Sequence, residues 1–211
     1  MRLGVFGGTF DPVHYGHLLL AESCREQLNL DEVWFLPTAI PPHKRSRELA
    51  PAEARAEMLE LALAGYPPFR VSRYEIDRGG VNYTVDTLAE LARQDPTREL
   101  YFLMGADSLR DLPSWKEPAR ICESATVVVV ERADARNGSD APSTIDLSPL
   151  AEVLSGEQLV RIEAHRVRMP RVDLSSSEIR QRVSAGHSIR YRTPRAVEAY
   201  IAAHALYRDN P

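Results

Sequence analysis

Cysteine is scarce in this sequence, and its two cysteines form no metal-binding or redox motif. Cys24 and Cys122 lie far apart among 211 residues, without a CxxC spacing. We expect both to be small apolar packing residues, because neither sits beside basic groups that would stabilise a thiolate. The first residues also lack a basic segment followed by an apolar stretch, so the sequence favours the reducing cytoplasm.

Long apolar runs and an excess of positive charge are also missing. The longest purely aliphatic run, from Val127 to Val130, falls far short of the roughly 20 residues of a membrane-spanning helix. Basic residues number 26 against 30 acidic ones, for a net charge of −4, so the chain has no global positive field for a nucleic acid. We expect no membrane and no nucleic-acid partner, and any bound anion must be held locally.

The sequence does contain short apolar runs that alternate with helical patterns. With 44% hydrophobic and 27% charged residues it has the composition of a folded globular protein. Continuous apolar runs are typical of parallel strands that are covered on both faces. The alternation therefore predicts an α/β fold with a doubly wound parallel sheet, whose ligands lie beyond the carboxyl ends of the strands. Strands are predicted over 3–6, 33–36, 69–74, 100–104, 126–130 and 159–163, and helices over 16–28, 52–64 and 85–93.

The last third of the chain differs in composition. Residues 133–149 are rich in Asp, Asn, Gly, Ser and Pro, which predicts a polar surface insertion. Two helices are then predicted over 175–183 and 194–203, within a helical region at about 175–207. We expect these helices to form a small C-terminal cap of a single domain that spans residues 1–211.

The strongest functional signal is the stretch from Gly7 to His17, GGTFDPVHYGH, which directly follows the first predicted strand. Glycines let backbone N–H groups approach a ligand, and the helix N-terminus that follows favours negative charge. His14 and His17 lie three residues apart, so both imidazoles can face one phosphate. A tight turn with incidental histidines and a two-histidine metal site are the alternatives. We rank both below phosphate binding, because no third ligand of suitable spacing lies nearby.

A second motif, LSSSEIR over residues 174–180, opens a late helix with hydroxyl groups and places an arginine one turn in. Taken alone it is an ordinary capping box, because Ser-x-x-Glu helix starts are common. Together the two motifs resemble the signatures of the nucleotidylyltransferase superfamily. In that superfamily, the H-x-G-H histidines bind the ATP phosphates and an S-[ST]-[ST]-x-I-R element grips the β- and γ-phosphates.

Further stretches resemble the bacterial nicotinate-nucleotide adenylyltransferase family in particular. They occur in the expected order and extend the resemblance over nearly the whole chain. The stretches run from Pro41 to Lys44, from Asn82 to Leu88, from Gly105 to Trp115, from Tyr191 to Pro194 and from Tyr200 to Tyr207.

The resemblance implies an enzyme of NAD biosynthesis that transfers the adenylyl group of ATP to nicotinate mononucleotide. The products are nicotinate adenine dinucleotide and pyrophosphate, and Mg²⁺ is expected to ride on the ATP phosphates rather than on protein side chains. The implied catalytic residues are His14, His17, Lys44 and Arg180. The implied ATP-binding residues are Gly7, Gly8, Thr9, Phe10, His14, His17, Gly105, Asp107, Ser176, Ser177 and Arg180. The implied acceptor-binding residues are Lys44, Tyr83, Thr84, Asp86 and Trp115.

Physical chemistry supports several of these roles, although each residue has an ordinary structural alternative. Trp115 offers a flat pyridine ring an aromatic face, and a helix start at 84–86 offers N–H donors to a carboxylate. Asp107 follows a predicted strand, where it can accept hydrogen bonds from ribose hydroxyls. The alternatives are a packing tryptophan, a capping Thr84 and an N-cap at Asp107.

Two departures from the family pattern and several alternative functions stay open. The family usually carries Arg-Pro-Gly after the fifth strand, whereas this chain has Glu131-Arg132-Ala133, and Asn82 stands where Ser is common. An acceptor preference for nicotinamide mononucleotide, or dual use of both acceptors, is the first alternative. A non-catalytic nucleotide-binding module is more distant, and nucleic-acid binding would rest on the arginines of 161–171 and 180–195.

Overall fold

The computed structural model describes residues 1–40, 49–132 and 146–208, and its strands form one sheet. The strands are β1 (Arg2–Gly8), β2 (Glu32–Pro37), β3 (Phe69–Val71), β4 (Glu99–Gly105), β5 (Thr126–Arg132) and β6 (Arg166–Met169). Their order is β3-β2-β1-β4-β5-β6, and the pairs β1–β4, β4–β5 and β5–β6 are parallel. This order reverses direction at β1, which is the arrangement of a doubly wound sheet and confirms the predicted fold class.

Helices connect the strands and continue beyond β6. They are α1 (Tyr15–Gln27), α2 (Ala52–Leu63), α3 (Tyr74–Arg78), α4 (Thr84–Gln94), α5 (Ala106–Asp111), α6 (Pro118–Ser124), α7 (Gly156–Ala164), α8 (Ser176–Ser184) and α9 (Arg195–Ala203). The helices predicted from apolar spacing are found within two residues of their expected bounds. In the described part of the chain, no helix combines the length and the apolar character that a bilayer crossing demands.

The chain divides into two compact units, each assembled from several stretches of sequence. The first unit comprises Met1–Gly7, Leu20–Val33 and Tyr83–Val172, and the second comprises Gly8–Leu19, Trp34–Asn82 and Asp173–Pro211. β4, β5 and β6 belong to the first unit, whereas α2, α8 and α9 belong to the second. A single domain over 1–211 stays a prediction.

The core of the first unit explains the continuous apolar runs of the sequence. Val127, Val128 and Val129 of β5 are each at most 1% exposed, because a parallel strand covered on both faces buries every side chain. Gly4 in β1 reflects the same close packing. A Cβ atom at this position would lie 2.9 Å from Cδ1 of Leu30, so no larger residue fits without displacing that side chain.

The sixth strand was predicted in the wrong place. Residues 159–163 lie in α7, and β6 follows it at Arg166–Met169. The capping box of Ser155 and Gln158 starts this helix: the Gln158 N–H donates to Ser155 Oγ at 3.2 Å, and the Ser155 N–H donates to Gln158 Oε1 at 2.9 Å. The true strand is marked by alternation, since Val167 and Met169 are buried whereas Arg168 is exposed.

Two other predicted segments are shorter than expected. β3 ends at Val71 rather than at residue 74, because the chain turns into α3, whose Asp77 N–H donates to the Arg73 carbonyl at 2.8 Å. Of the predicted insertion at 133–149, residues 133–145 lie outside the described residues. Its last residues are ordered by a short 3₁₀ turn over Ser148–Leu150, whose Ser148 N–H donates to Asp146 Oδ1 at 2.9 Å.

Both cysteine thiols are predicted to be unreactive in the native protein. Cys24 is 0% and Cys122 is 3% exposed, and burial raises the pKa of Cys24 to about 12 and that of Cys122 to about 11. The reactive thiolate is therefore nearly absent at neutral pH. Titration with a thiol-specific disulfide reagent at pH 8 should find almost no reaction in buffer and two equivalents per chain in guanidinium. Rapid modification of either cysteine in buffer would contradict the burial.

Candidate active site

Two stacked histidines lie at the carboxyl end of β1, in the second unit. His14 directly precedes α1 and His17 lies in its first turn, with ring centroids 3.7 Å apart and planes at 23°. The His14 N–H donates to His17 Nδ1 at 3.2 Å, so a neutral His17 carries its proton on Nε2. Gly16 leaves room for this pair, because a Cβ atom there would lie 3.0 Å from the His14 ring.

Phe10 supports the histidine pair from the glycine-rich turn. Its ring meets His17 edge-on at 5.1 Å between centroids, and its side chain is only 2% exposed. Phe10 has a positive φ of 49°, and a Cβ atom at Gly8 would lie 3.0 Å from the Phe10 ring. Because the phenyl ring is buried, any contact of Phe10 with ATP must come from its main chain.

A buried carboxylate, Asp11, connects the two motifs, although the sequence reasoning gave it no role. Asp11 is 1% exposed, and Arg180 binds it twice: Nη1 lies 3.3 Å from Oδ2 and also donates to the Asp11 carbonyl. Nη2 of Arg180 donates to Ser177 Oγ at 3.0 Å. The Ala50 N–H and the Tyr207 hydroxyl donate to Oδ1 at 3.2 and 2.7 Å. Arg180 is therefore held in a network rather than projecting from the helix.

The serines of the second motif have different structural tasks. Ser175 is the N-cap of α8, accepting from the Glu178 N–H at 3.1 Å, so the capping alternative holds for this residue. Ser176 Oγ donates to the Pro12 carbonyl at 2.9 Å. Its hydroxyl proton is therefore committed to the first motif, and the sequence gave no sign of this contact.

Arg55 is a second buried residue that sequence reasoning missed. It is 1% exposed, and its guanidinium donates to backbone carbonyls at 2.7 to 3.1 Å. The acceptors are the carbonyls of Thr9, Thr38, Ala39 and Ala50. Burial lowers the pKa of Arg55, and the Asp11 carboxylate opposes that shift. The sequence contained one signal for a buried Arg55. It is a charged residue on the apolar face of a predicted helix, and burial of such a residue requires partners.

In the first unit, three of the predicted acceptor residues, Tyr83, Thr84 and Asp86, lie at the start of α4. Tyr83 is its N-cap and is 39% exposed, without a side-chain capping bond. Lys116, which was not predicted, lies over the Tyr83 ring at 4.7 Å and contacts Asp86 Oδ2 at 3.0 Å. Trp115 is partly exposed, with its ring 6.1 Å from that of Phe102.

One expectation about this helix start was wrong. The N–H groups over 84–86 were expected to be available to a carboxylate, yet that of Asp86 donates to the Tyr83 carbonyl at 3.0 Å. The reason is that the N-cap carbonyl accepts the first bonds of its own helix. Thr84 is the first helical residue rather than the cap. The donors that a helix start offers to a ligand are therefore those of Thr84 and Val85.

Gly105 and Asp107 lie at the carboxyl end of β4, as expected. Gly105 is the N-cap of α5, so Asp107 belongs to the first turn and is not the cap. The Asp107 side chain is 83% exposed and lies 3.2 Å from Arg110. A carboxylate so exposed at a strand end can reach a ligand hydroxyl.

The departure from the family pattern at Glu131 lies within the observed β5, and Glu131 forms an ion pair inside the first unit. Glu131 is 5% exposed and accepts from Nε of Arg166 at 2.6 Å, while Arg166 also binds Glu163. Other arginines of the two basic stretches have carboxylate partners as well, including Arg161 with Glu157 and Arg192 with Glu178. Such pairing reduces the positive charge that nucleic-acid binding would need.

Lys44 and the whole stretch from Pro41 to Lys44 lie outside the described residues. Within the described ranges, no group of three or more His, Cys, Asp or Glu side chains is placed to hold a metal ion. The Asp11 carboxylate is engaged by Arg180, Tyr207 and Ala50, so its donor atoms do not fit a protein-held Mg²⁺.

Comparison with known proteins gives consistent matches over the chain. Residues 5–182 match the cytidylyltransferase-like family. A probable nicotinate-nucleotide adenylyltransferase of Thermus thermophilus is 49% identical, with 99% of this chain and 100% of that protein covered. A relative of the same name from Thermomicrobium roseum is 46% identical, with coverages of 98% and 92%.

Solved structures show the same fold. One is Plasmodium falciparum nicotinic acid mononucleotide adenylyltransferase complexed with NaAD, which matches with a TM-score of 0.75. The match covers 98% of this chain and 97% of that one at 19% sequence identity, so it concerns the fold.

Replacing Arg55 by methionine is predicted to destabilise the protein by about 3 kcal/mol. The change leaves buried carbonyls without a hydrogen-bond donor and removes a cation near Asp11. Arg73→Met is the matched control. Arg73 is 36% exposed and paired with exposed carboxylates, so its loss should cost less than about 1 kcal/mol. Urea unfolding followed by circular dichroism measures both values. Equal losses for the two variants would contradict the role of Arg55.

Proposed function

We propose that this chain, which belongs to the cytidylyltransferase-like family, transfers the adenylyl group of ATP to nicotinate mononucleotide. The products are nicotinate adenine dinucleotide and pyrophosphate, in the biosynthesis of NAD. The observation that carries the proposal is the stacked pair of His14 and His17 at the end of β1. It occurs in a chain 46–49% identical, over nearly its full length, to relatives that carry this name.

The reaction needs positioning and charge stabilisation rather than an activated base. The second pKa of a phosphate monoester is about 6, so the acceptor phosphate is already a dianion at neutral pH. Its oxygen attacks the α-phosphorus of ATP, the bond to the β-phosphate oxygen breaks, and pyrophosphate leaves with that oxygen. Negative charge grows on the α-phosphoryl oxygens and on the leaving group, and fixed donors that meet it lower the barrier.

The second unit supplies the donors for this charge. The His17 Nδ1 is occupied by the His14 N–H, which fixes its Nε2–H as the donor toward a phosphate oxygen. His14 acts beside it, and Arg180, with the main-chain N–H groups of Ser176 and Ser177 at the start of α8, holds the departing pyrophosphate. Lys44 completes the proposed catalytic set. The main-chain N–H groups of residues 8–10 bind ATP phosphates as well. In the first unit, Gly105 and Asp107 stay separate candidates for contacts to ribose hydroxyls.

The acceptor is bound by residues of the first unit. Trp115 supplies an aromatic face for the pyridine ring, together with the exposed Tyr83. The N–H groups at the start of α4, beginning with Thr84, donate to the nicotinate carboxylate. Asp86 would repel that carboxylate, but its charge is offset by Lys116 at 3.0 Å. In this proposal the role of Asp86 is therefore indirect, since it holds Lys116 in place.

Mg²⁺ enters the proposal as a partner of ATP. It neutralises phosphate charge while it is carried on the nucleotide, and the residues of the chain bind the phosphates that carry it. The cytoplasm stays the predicted compartment, where both substrates are available.

His17→Ala should retain the fold and lower kcat about a hundredfold, because it removes one donor to the transition state. The measurement is pyrophosphate release at saturating ATP and nicotinate mononucleotide. His187→Ala is the matched control, since His187 is exposed and belongs to the same unit. A kcat for His17→Ala close to that of the control would contradict the assignment.

The acceptor carboxylate should be preferred over the neutral amide of nicotinamide mononucleotide by about tenfold or more in kcat/KM. An amide NH₂ that faces N–H donors leaves polar groups unsatisfied, at a cost of about 1–3 kcal/mol. Pyrophosphate release at saturating ATP, with both mononucleotides and with phosphopantetheine as a third acceptor, measures the preference. Turnover of phosphopantetheine alone would overturn the proposed function.

Trp115→Ala serves as the control within the same assay. Both pyridine rings present similar faces to the indole, so this variant should lower kcat/KM for both mononucleotides and leave their ratio nearly unchanged. Equal use of the two acceptors by the unmodified protein would remove the carboxylate argument and leave adenylyl transfer standing.

A further inference from the structure

The hydroxyl of Tyr207 reaches the buried carboxylate of the first motif from the far end of the chain. It donates to Asp11 Oδ1 at 2.7 Å, across 196 positions of sequence. Tyr207 lies after α9 and has a positive φ of 61°, which is uncommon for a residue other than glycine. Such a conformation persists where surrounding contacts determine it, and the bond to Asp11 is one of those contacts.

Asp11 links Tyr207 to Arg180, because each of them binds its carboxylate. One oxygen, Oδ1, is used by Tyr207 and by the Ala50 N–H, and the other faces Nη1 of Arg180 at 3.3 Å. With both donors on Oδ1, the carboxylate is fixed in rotation and presents Oδ2 to the guanidinium. Arg180 is 12% exposed on its side chain, and its Nη2 continues to Ser177. The hydroxyl of Tyr207 is thus one bond removed from the arginine.

The tyrosine stays a donor across the working range of pH. Burial, together with the Asp11 carboxylate, raises the pKa of Tyr207 far above its usual value, while Arg180 and Arg55 oppose the shift. The phenol therefore remains protonated wherever the carboxylate is charged. The bond does not depend on a titration near neutral pH.

We propose that Tyr207 is a positioning residue for ATP: through Asp11 it orients Arg180 toward the triphosphate. This inference rests on the proposed function for the identity of the ligand. The effect of Tyr207 is transmitted by the Asp11 carboxylate, which it shares with Arg180. Loss of the hydroxyl leaves Oδ1 with a single donor, so the Asp11 carboxylate can rotate and Arg180 loses its fixed direction.

The test variant is Tyr207→Phe, which removes only the hydroxyl, and Tyr200→Phe is its matched control. Tyr200 also donates to a carboxylate, Glu57 Oε2 at 2.5 Å, in the same unit but at an exposed site. The dissociation constant of ATP should rise about fivefold in Tyr207→Phe, as expected for one lost hydrogen bond, and less than about twofold in Tyr200→Phe. Calorimetric titration with ATP gives both values without relying on turnover.

Steady-state kinetics separate positioning from a general structural effect. In Tyr207→Phe the KM for ATP should rise while the KM for nicotinate mononucleotide stays within about twofold of its original value. A loosened fold would instead weaken the binding of both substrates. Unchanged ATP binding in Tyr207→Phe, or equal losses for both substrates, would overturn the proposal.

The second readout is a double-mutant cycle with Arg180→Ala. If Tyr207 acts through Arg180, then Tyr207→Phe should change ATP affinity by less than about twofold once the arginine is gone. The same fivefold loss in both backgrounds would show that the hydroxyl acts elsewhere and would overturn the proposal. Should Tyr207→Phe fold poorly, Asp11→Asn tests the same path: its amide faces Arg180 without charge and should also weaken ATP binding.

Failure of this proposal and failure of the proposed function give different results. A protein that binds ATP but releases no pyrophosphate with any mononucleotide contradicts the function, and the titrations still decide the role of Tyr207. A Tyr207→Phe variant that turns over nicotinate mononucleotide with an unchanged KM for ATP and an unchanged dissociation constant of ATP contradicts the positioning role alone.

Discussion

The buried carboxylate of Asp11 is the constraint on which the proposed phosphate-binding part of the second unit depends. A charge that is 1% exposed would be costly without partners, and Asp11 obtains them from Arg180, Tyr207 and Ala50. If any one of these contacts is broken, the remaining partners alone must stabilise the negative charge of Asp11, which is poorly solvated. The glycine-rich turn, the start of α8 and the end of the chain are therefore tied to a single group.

The same cluster offers a local positive charge to the triphosphate that the proposed function requires an acidic protein to bind. Two arginines, Arg55 and Arg180, lie near the single carboxylate of Asp11, so the cluster has an excess of one positive charge. The chain as a whole carries a net charge of −4, so this charge is a local property. Burial lowers the pKa of Arg55 and the Asp11 carboxylate opposes that shift, and a guanidinium is not deprotonated in proteins, so Arg55 keeps its positive charge among the backbone carbonyls. Such fixed charge contributes to binding without reorganisation when the ligand arrives.

Local patterns in the sequence predict the parts of this structure that depend on local rules. The apolar run of β5 identifies a parallel strand, and the glycines before His14 identify the turn. The misplaced sixth strand shows the limit, because apolar residues at 159–163 fit either element and the capping box at Ser155 decides for a helix. The two histidines were correctly expected to lie together, because side chains three residues apart at the start of a helix share one face.

The tertiary partners of these residues could not be predicted from the sequence, for a physical reason. The bonds of Asp11 to Ala50, Arg180 and Tyr207 join residues up to 196 positions apart, and nothing in the local sequence marks one polar side chain as the partner of another. The role of Lys116 was missed similarly, because its contact with Asp86 requires the start of α4 and the segment after Trp115 to meet in space. Sequence motifs predict candidate functional residues more readily than they predict the residues that hold those candidates in place.

Isotope transfer tests the central claim, attack on the α-phosphorus of ATP, most directly. Nicotinate mononucleotide with isotopically heavy oxygen at all the non-bridging positions of its phosphate would be incubated with ATP and the purified protein, and the products analysed by mass spectrometry. If the acceptor oxygen attacks the α-phosphorus, every heavy oxygen should appear in the dinucleotide, one of them as the new bridge, and none in pyrophosphate. Release of unlabelled AMP or ADP, with the heavy oxygens in a mononucleotide that has gained a pyrophosphoryl or phosphoryl group, would place the attack at the β- or γ-phosphorus and contradict the account.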